Sequence, residues 1–556
     1  MAFGLTGGSR ERFEQLAGSA DSAPVAARES SAPPYLPLAG ERAAAMGLRR
    51  CLERWLPQEA EGMEDLADLW VENPVESAGP RACVLIARTI HHREQMRLLC
   101  RARRRLGDGG RLIVAGEFLR DVGEIMPSDL PTEFSLRQLA ERLGFKLIEQ
   151  MDWTAGARRS LATARARIAG QSAAKSSGSR FPPAAWLRSL WIGLKSEDDR
   201  ASTDASARLE WELASLAADF EAGHRRFGCF VFALDTAAGG PWSGLELGDI
   251  ASFEPEEVSG VFEESFNTPF DAALWRWKYG EGKGTCIVAR ERPGGEIIAH
   301  YGGVAREIDY FGADRLALQI CDVMVKPPMR RQYGRGSLYF HLAATLLEQE
   351  IGYTANHVLG FGFPNRPAMK AAMRIGLYGK VDDYVELGFV DAGPSIGELR
   401  IEPLRPESAD PLWALMRRDF RDGVVGKRDA DYLRYRYFSH PGAERYFPLL
   451  LSKGGEAFAV GVLKHHEERW LLMDLVAPLA RMDAAAGALA AWAEARPESG
   501  SLAMWLTRAW VERLGWRGRI VKNLGIEIPF NAWNPAPDQT LPQGAWWLTA
   551  GDMDFI

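Results

Sequence analysis

The stretch "VMVKPPMRRQYGRGSLYFHLAATLLEQ", Val323 to Gln349, decides the fold. It opens as the apolar end of a strand, crosses Pro327 and Pro328, turns basic and glycine-rich, and closes as a helix over 337–350. A strand, a basic turn and a helix start together make an anion site. The first N–H groups of a helix have no partner inside it, and the helix dipole favours negative charge there. Glycine at 334 and 336 lets backbone approach a phosphate with no Cβ in the way, and Arg330, Arg331 and Arg335 add charge at the rim. The turn is not a Walker loop, because no Gly-Lys-Ser/Thr follows, and it is not a dinucleotide fingerprint, because GxGxxG is absent. A surface turn with solvated arginines is the plainer alternative; the flanking strand and helix favour the phosphate.

Outward from the loop the pattern is β-rich. "CIVARE" and "IIAHYGGVA" alternate about the turn "RPGGE" like antiparallel strands, and "LALQICDVMV" is a longer strand leading into the loop. "VLGFGF", a short helix from Arg366, and "VDDYVELGFV" follow. This order is then echoed. "SFEPEEVSGVFEESF" returns as "RIEPLRPESADPLWALMRRDF", and "LWRWKYGEG" (274–282) returns as "YLRYRYFSH" (432–440), pairing Arg276 with Arg434 and Tyr279 with Tyr437. "IIAHYGGVA" returns as "EAFAVGVLK" and "QICDVMV" as "WLLMDLV". Two similar units in tandem, 250–395 and 397–556, account for the echo. Upstream, 41–237 alternates strands and helices as a parallel sheet does, residues 1–40 read as a mobile arm, and 238–249 reads as a linker. The tail "WWLTAGDMDFI" reads as a final strand with Asp552 and Asp554 exposed.

Bulk properties narrow the function. The chain has 556 residues, 46% apolar and 25% charged, with net charge −7, so a whole-protein attraction to nucleic acid or anionic membrane is not expected. Six scattered cysteines without a CxxC argue against structural zinc or a disulfide framework and fit a cytoplasmic protein. No histidines have metal-ligand spacing. The longest apolar region is broken by Asp474, Arg481 and Asp483, so no membrane span is expected, and the N-terminus has no apolar core of signal-peptide length.

Pro328, Arg331, Gly334 and Gly336 stand in the pattern P-x-x-R-x-x-G-x-G after a strand ending in Val325. This resembles the acyl-CoA pyrophosphate loop of the GNAT acyltransferase superfamily. "GFGFPNRPAMKAAMRIGLYG" (360–379) resembles that superfamily's later strand and helix. The resemblance implies acyl-CoA, acetyl-CoA in the first instance, bound by Met324, Val325, Arg330, Arg331, Gln332, Tyr333, Gly334, Arg335, Gly336, Ser337 and Asn365. It implies acyl transfer to a small primary amine such as an amino sugar, with the oxyanion met by a backbone N–H near Met324 or Val325. Asp322 is the candidate base, and an anchor for the strand end is an equal reading. The superfamily often carries a tyrosine seven residues after the Asn to protonate the leaving thiolate. Here that position is Ala372, and Tyr378 is the nearest substitute. Trp275, Trp277 and Tyr279 read as core by default, and His300 and His357 as scaffold. The second unit has "VAPLARMDAAAGALAAWA" where the loop should stand, so it reads as a degenerate copy.

"ACVLIARTIHHREQMRLLCRARRRLGDGGRLIVAGEF", with the helices and strands that follow to about 235, resembles the later half of a class I methyltransferase. That resemblance implies a Rossmann-like sheet. Residues 40–80 contain no GxGxG after a strand to hold S-adenosylmethionine, so the unit reads as inactive. The fold class expected is therefore α/β (α+β): a Rossmann-like methyltransferase-type sheet, then two GNAT-like mixed sheets. Two rivals stay open: a bifunctional methyltransferase and N-acetyltransferase, and a non-catalytic CoA-binding scaffold. The acceptor amine and the oligomeric state are not legible.

Overall fold

In the computed structural model, residues 75–76, 83–87 and 90–553 are described, except 88–89 and short gaps at 121–122, 124, 126, 160, 163–164, 167–200, 239, 241, 390–398, 467, 497–499, 517–518 and 539. The arm expected over 1–40, the region searched for an adenosylmethionine turn and Asp554 lie outside the described residues. Three mixed sheets organise the rest.

The first sheet has strand order β1 (Val75–Glu76), β2 (Cys83–Ala87), β3 (Arg111–Leu119), β5 (Arg225–Leu234), β4 (Phe145–Asp152). β2 and β3 are parallel and joined through α1 (His92–Arg105); β5 runs antiparallel to both neighbours. Helix α2 (Glu133–Arg142), N-capped by Thr132, precedes β4, and α3 (Ala201–Ala222) precedes β5. Phe118, Phe230 and Phe232 fill the interior as an aromatic run.

The second sheet begins with β6 (Glu246–Asp249), so the stretch expected as a linker ends in an edge strand. Helices α4 (Ser259–Phe266) and α5 (Ala272–Tyr279) follow; Asp271 caps α5 by accepting from the N–H groups of Ala273 and Leu274. β7 (Gly284–Arg290), β8 (Ile297–Tyr310) and β9 (Ala313–Val325) form an antiparallel meander. After α6 (Leu338–Glu350), β10 (Leu359–Gly362) pairs parallel with β9, and α7 (Arg366–Ile375) follows, capped by Asn365.

The third sheet repeats the plan. β12 (Leu399–Pro403), helices α8 (Asp410–Asp419) and α9 (Ala430–Leu433), the antiparallel strands β14 (Tyr446–Lys453), β15 (Glu456–His466) and β16 (Arg469–Val476), and then α10 (Leu479–Glu494) correspond in order. β17 (Leu502–Thr507) is parallel to β16 as β10 is to β9, and α11 (Arg508–Leu514) and β18 (Arg519–Asn531) close the unit. The two units are interlocked. β11 (Tyr378–Phe389), which lies in the first unit by sequence, sits between β17 and β18. In return β13 (Val424–Gly426) and β19 (Trp546–Trp547) extend the edge of β8 in the second sheet. Neither sheet is complete without strands from the other half of the sequence.

The tail departs from the reading given to it. Among its described residues only Trp546–Trp547 is strand, and Asp552 is 2% exposed. Its carboxylate accepts from Arg428 Nη2 at 2.6 Å and Arg306 Nη2 at 3.1 Å, so paired guanidinium groups draw it inward.

The first sheet's helices brace the second. Arg142 of α2 makes a fork-like pair with Glu348 of α6, 2.6 and 2.7 Å, and Arg93 of α1 holds Glu350 at 2.9 Å. Both acids lie near the C-terminal end of α6. Their partners fix that helix, and with it the direction in which its N-terminus points.

Candidate functional site

The ladder between β9 and β10 ends at the pair Ile320 and Gly362, while β9 runs on to Val325. From Cys321 onward the β10-facing edge of β9 has no strand partner among the described residues. At this point β9 also bulges. Its register against β8 slips between the pairs Gly302–Cys321 and His300–Met324, and Asp322 takes φ +50°. A bulge with positive φ at a non-glycine residue is costly and recurs where a strand re-aims its groups toward a site. Gly302, opposite, makes room for it: a Cβ there would come within 2.4 Å of Tyr279 Oη. Gly302→Ala is therefore expected to destabilise the fold by about 1–3 kcal/mol, read by urea denaturation; an unchanged midpoint would mean the bulge tolerates the methyl group.

Beyond the bulge lies the loop. Pro327–Arg331 forms one short 3-10 turn and Gly334–Gly336 another. Gly334 has φ +76°, and a Cβ at Gly334 or Gly336 would meet nothing within 4 Å. Ser337 caps α6: its Oγ accepts from the Phe340 N–H at 3.2 Å and donates to the Gly334 carbonyl at 2.7 Å. The first turn of α6 thus opens toward the glycine loop.

The predicted cofactor residues divide. Met324 is buried and Val325 half-buried on β9; Arg330 is exposed, with Nε donating to the Val325 carbonyl at 2.6 Å. Gln332 is exposed, and Tyr333 is 89% exposed beside Gly334. Arg331 lies on the first turn; its side chain is outside the described residues. Arg335 donates through Nε to the Ile375 carbonyl at 3.1 Å and stacks on Trp533 at 5.0 Å, so it ties the loop to the end of α7. Asn365 is spent on capping α7, accepting from Ala368 N–H at 3.0 Å.

Asp322 is enclosed. Lys278 Nζ lies 2.7 Å from its carboxylate, and Tyr279 Oη donates at 2.8 Å. Burial raises its carboxyl pKa, but the Lys278 charge and hydrogen bond outweigh burial and hold it below the usual range. An acid so stabilised as carboxylate accepts a proton poorly at neutral pH. Two further acids of α4 are also engaged: Glu264 pairs with Lys326, and Glu263 accepts from the Phe270 N–H.

Tyr378 is 9% exposed, with its hydroxyl against that of Tyr301; burial and Tyr301 raise its pKa well above 10. It stays protonated, as does Tyr339 beside it, raised by burial and by Tyr378. Ala372, on the buried side of α7, is fully buried.

His300 places Nδ1 2.6 Å from the Asp322 carbonyl, and burial lowers its pKa to about 4. His341 on α6 is lowered by burial to about 3. Both stay neutral in the fold, whereas the unfolded chain protonates them near 6.5. Below that value the unfolded state binds more protons. Their contribution is therefore complete above pH 6.5 and is lost on acidification, down to about 4 for His300 and about 3 for His341. Each is expected to cost up to about 1.4 kcal/mol per pH unit across its window. Denaturant midpoints at pH 7 and pH 5 check this; equal midpoints would reject it.

Sequence reading did not find the contact between the two units. Trp277 and Tyr435, equivalent residues in the echo, stack at 4.9 Å, and each donates to the other's backbone carbonyl, at 3.1 and 2.9 Å. In the second unit Tyr437 donates to Asp474 as Tyr279 does to Asp322. The loop itself is missing there: only Ala477 and Pro478 separate β16 from α10. Among the described residues no group of three or more His, Cys, Asp or Glu side chains is placed to hold a metal ion, and no helix is long and apolar enough to cross a membrane.

No family model matches the chain, and no curated protein does. Among solved structures, a conserved protein of unknown function from Enterococcus faecalis aligns with TM-score 0.41 and 11% identity, covering 52% of this chain and 73% of its own. A GCN5-related N-acetyltransferase from Kribbella flavida aligns with TM-score 0.39 and 15% identity, covering 51% and 70%. The N-myristoyltransferase of Saccharomyces cerevisiae aligns with TM-score 0.35 and 8% identity, covering 53% and 81%.

Proposed function

We propose that this chain is an acyl-CoA-dependent N-acyltransferase that moves an acetyl group to a small primary amine. One arrangement carries the reading: the open edge of β9 after the Asp322 bulge leads directly into the glycine loop at the N-terminus of α6. The pyrophosphate of CoA fits the loop, where helix N–H groups and arginine charge meet an anion. The thioester arm fits along the unpaired strand edge. The Lys326 N–H is used on Ile298 of β8, so alternation along the strand turns the Val325 N–H, rather than that of Met324, toward that edge. Val325 N–H is then the donor for the oxyanion.

The amine nitrogen attacks the thioester carbonyl, a C–N bond forms, the C–S bond breaks, and CoA leaves as a thiolate that takes up a proton. Asp322 holds Lys278 and the bulge in place, and a water relay removes the ammonium proton. Asp322→Asn is expected to keep the shape of the pH–rate profile while lowering stability by about 3 kcal/mol, because Lys278 loses its charge partner. Loss of the ascending limb in that variant would make Asp322 the base. Tyr378, kept protonated by burial, is the acid we assign to the thiolate.

The first sheet holds α6 through Arg93 and Arg142, and we read it as a brace for that helix rather than a second active unit. The decisive experiment is calorimetric titration of the whole chain with acetyl-CoA and, separately, S-adenosylmethionine. Acetyl-CoA alone is expected to bind. Binding of neither would reject the acyltransferase reading, and binding of both would give the first sheet a cofactor.

A further inference from the structure

A cleft of about 280 Å³ lies between the first sheet and the C-terminal end of α6. Three parts of the chain build its described walls. The first sheet gives the end of β3 and the start of α2; α6 gives Glu348 and Gln349, with the 351–355 turn after it; the segment after β18 gives Asn534 and Pro535. β2 and β3 are parallel, and the cleft sits beyond their carboxyl ends, at His92 and at Leu119 and Arg120. Open α/β sheets take ligands at that edge.

The walls are held by contacts of their own. The Ser128 N–H donates to the Thr354 carbonyl at 2.9 Å, and the Leu119 N–H to the Pro131 carbonyl at 2.9 Å. Asn534 Nδ2 donates to the Ile351 carbonyl at 2.5 Å. Gly352 has φ +144°, and a Cβ there would come within 2.8 Å of the Pro535 carbonyl oxygen, so the turn after α6 is packed tightly on that segment.

Several polar groups at the cleft are left over. Thr132 Oγ1 accepts from the Ser135 N–H at 3.0 Å, and the Thr132 carbonyl accepts from the Leu136 N–H at 3.1 Å. The helix therefore offers no acceptor to the N–H groups of Glu133 and Phe134. Gln349 and His92, both on the wall, are 5% and 6% exposed, and the Nε2 atom of each has no hydrogen-bond partner. Burial lowers the His92 pKa, so the ring is neutral at pH 7. Buried polar groups without partners are costly, and a ligand in the cleft offsets that cost.

The same wall selects for negative charge. The positive end of the α2 dipole meets it, and Arg120 and Arg137 stand at its exposed rim. Both carboxylates on the wall are already engaged: Glu348 by Arg142 at 2.6 Å, and Glu133 by Arg226 at 3.6 Å. Leu119, Leu130 and Ile351 supply apolar surface. A cavity of about 150 Å³ holds a benzene, so this one suits a body of roughly ten non-hydrogen atoms.

We propose that this cleft binds a small molecule with one oxyanion, a carboxylate or a phosphate, on a compact apolar body, and that the oxyanion accepts from the first turn of α2 and the Gln349 amide. The site goes beyond the acyltransferase reading and does not rest on it. Its ligand touches both the first sheet and the end of α6, and so strengthens the junction through which that sheet braces the helix.

The test is calorimetric titration of the whole chain with three probes of similar size: phenylacetate, phenyl phosphate and the neutral phenylacetamide. At least one anion is expected to bind about 10-fold more tightly than phenylacetamide. The carboxylate and phosphate arms then show which oxyanion the site takes. Arg120→Glu and Arg137→Glu, both at exposed positions, should each weaken the anion about 10-fold and leave the denaturation midpoint unchanged. Gln349→Leu should weaken it as well; should that variant fail to fold, the two exposed ones still decide. α6 has 13 residues, so the glycine loop lies about 20 Å away at its other end, and a phosphate signal from that loop would survive both charge reversals. A signal that survives both, binding of phenylacetamide as tight as that of the anions, or no anion binding up to about 10 mM would overturn the assignment.

Discussion

Gly334→Asp is expected to abolish detectable acetyl-CoA binding. Two effects act together. Gly334 sits at φ +76°, a conformation that costs a side-chain-bearing residue about 1–2 kcal/mol. A carboxylate is also placed in the open space above the loop, where a Cβ meets no protein atom within 4 Å and where we place the pyrophosphate. Like charges in contact replace the anion's hydrogen bonds, so the expected loss is at least about 100-fold in Kd, roughly 3 kcal/mol. The fold should survive, because nothing packs on this position. Calorimetry on the variant, with a denaturation curve to confirm folding, checks both halves. Unchanged affinity in a folded variant would show that the loop does not hold the cofactor.

Arg428→Ala is expected to give the largest loss of stability. Arg428 is fully buried and bridges Asp474 and Asp552, whose side chains are 0% and 2% exposed. Burial pushes the Asp474 carboxyl up, yet Arg428, with Tyr437 and Thr549, holds it below the usual range. Removing the guanidinium leaves two buried carboxylates a few ångströms apart around Thr549. Breaking a buried pair of this kind costs about 3–5 kcal/mol. The variant should recover part of that loss on acidification, since protonating Asp474 or Asp552 relieves the unpaired charge. The native protein behaves oppositely. The depressed Asp474 pKa adds stability that is complete above the unfolded value near 3.9 and is lost below it, as pH falls through the lower folded value. Denaturation midpoints of the two proteins between pH 7 and about pH 2, which spans the loss below about 3.9, check the opposing trends. A variant as stable as the parent at pH 7 would reject the bridge.

Local elements were legible because local physics sets them. The alternation in "IIAHYGGVA", the glycine-rich turn before Ser337 and the Asn365 cap all describe interactions within a few residues. The echo of 274–282 in 432–440 was legible for the same reason, and it returns as the stacked pair Trp277 and Tyr435. What that pair touches was not legible. Lys278 is in sequence only a charge between Trp277 and Tyr279, and only the fold brings it to Asp322. Arg436 likewise lies on a tyrosine-rich stretch and finds its partners in the carbonyls of Gly551 and Met553 far along the chain.

The sequence by itself therefore determined the strand–loop–helix unit, its duplication and the absence of the loop from the second copy. Each follows from side-chain periodicity, glycine and proline, which act within a turn or a strand. The tertiary structure alone decided which sheet takes β11, where Asp552 goes and which charges meet. Strand neighbours and buried ion pairs depend on residues tens to hundreds of positions apart. An apolar alternating segment specifies that it will be a strand, not which edge it will join. A charge specifies that it needs a partner or water, not which of the two the fold will give it.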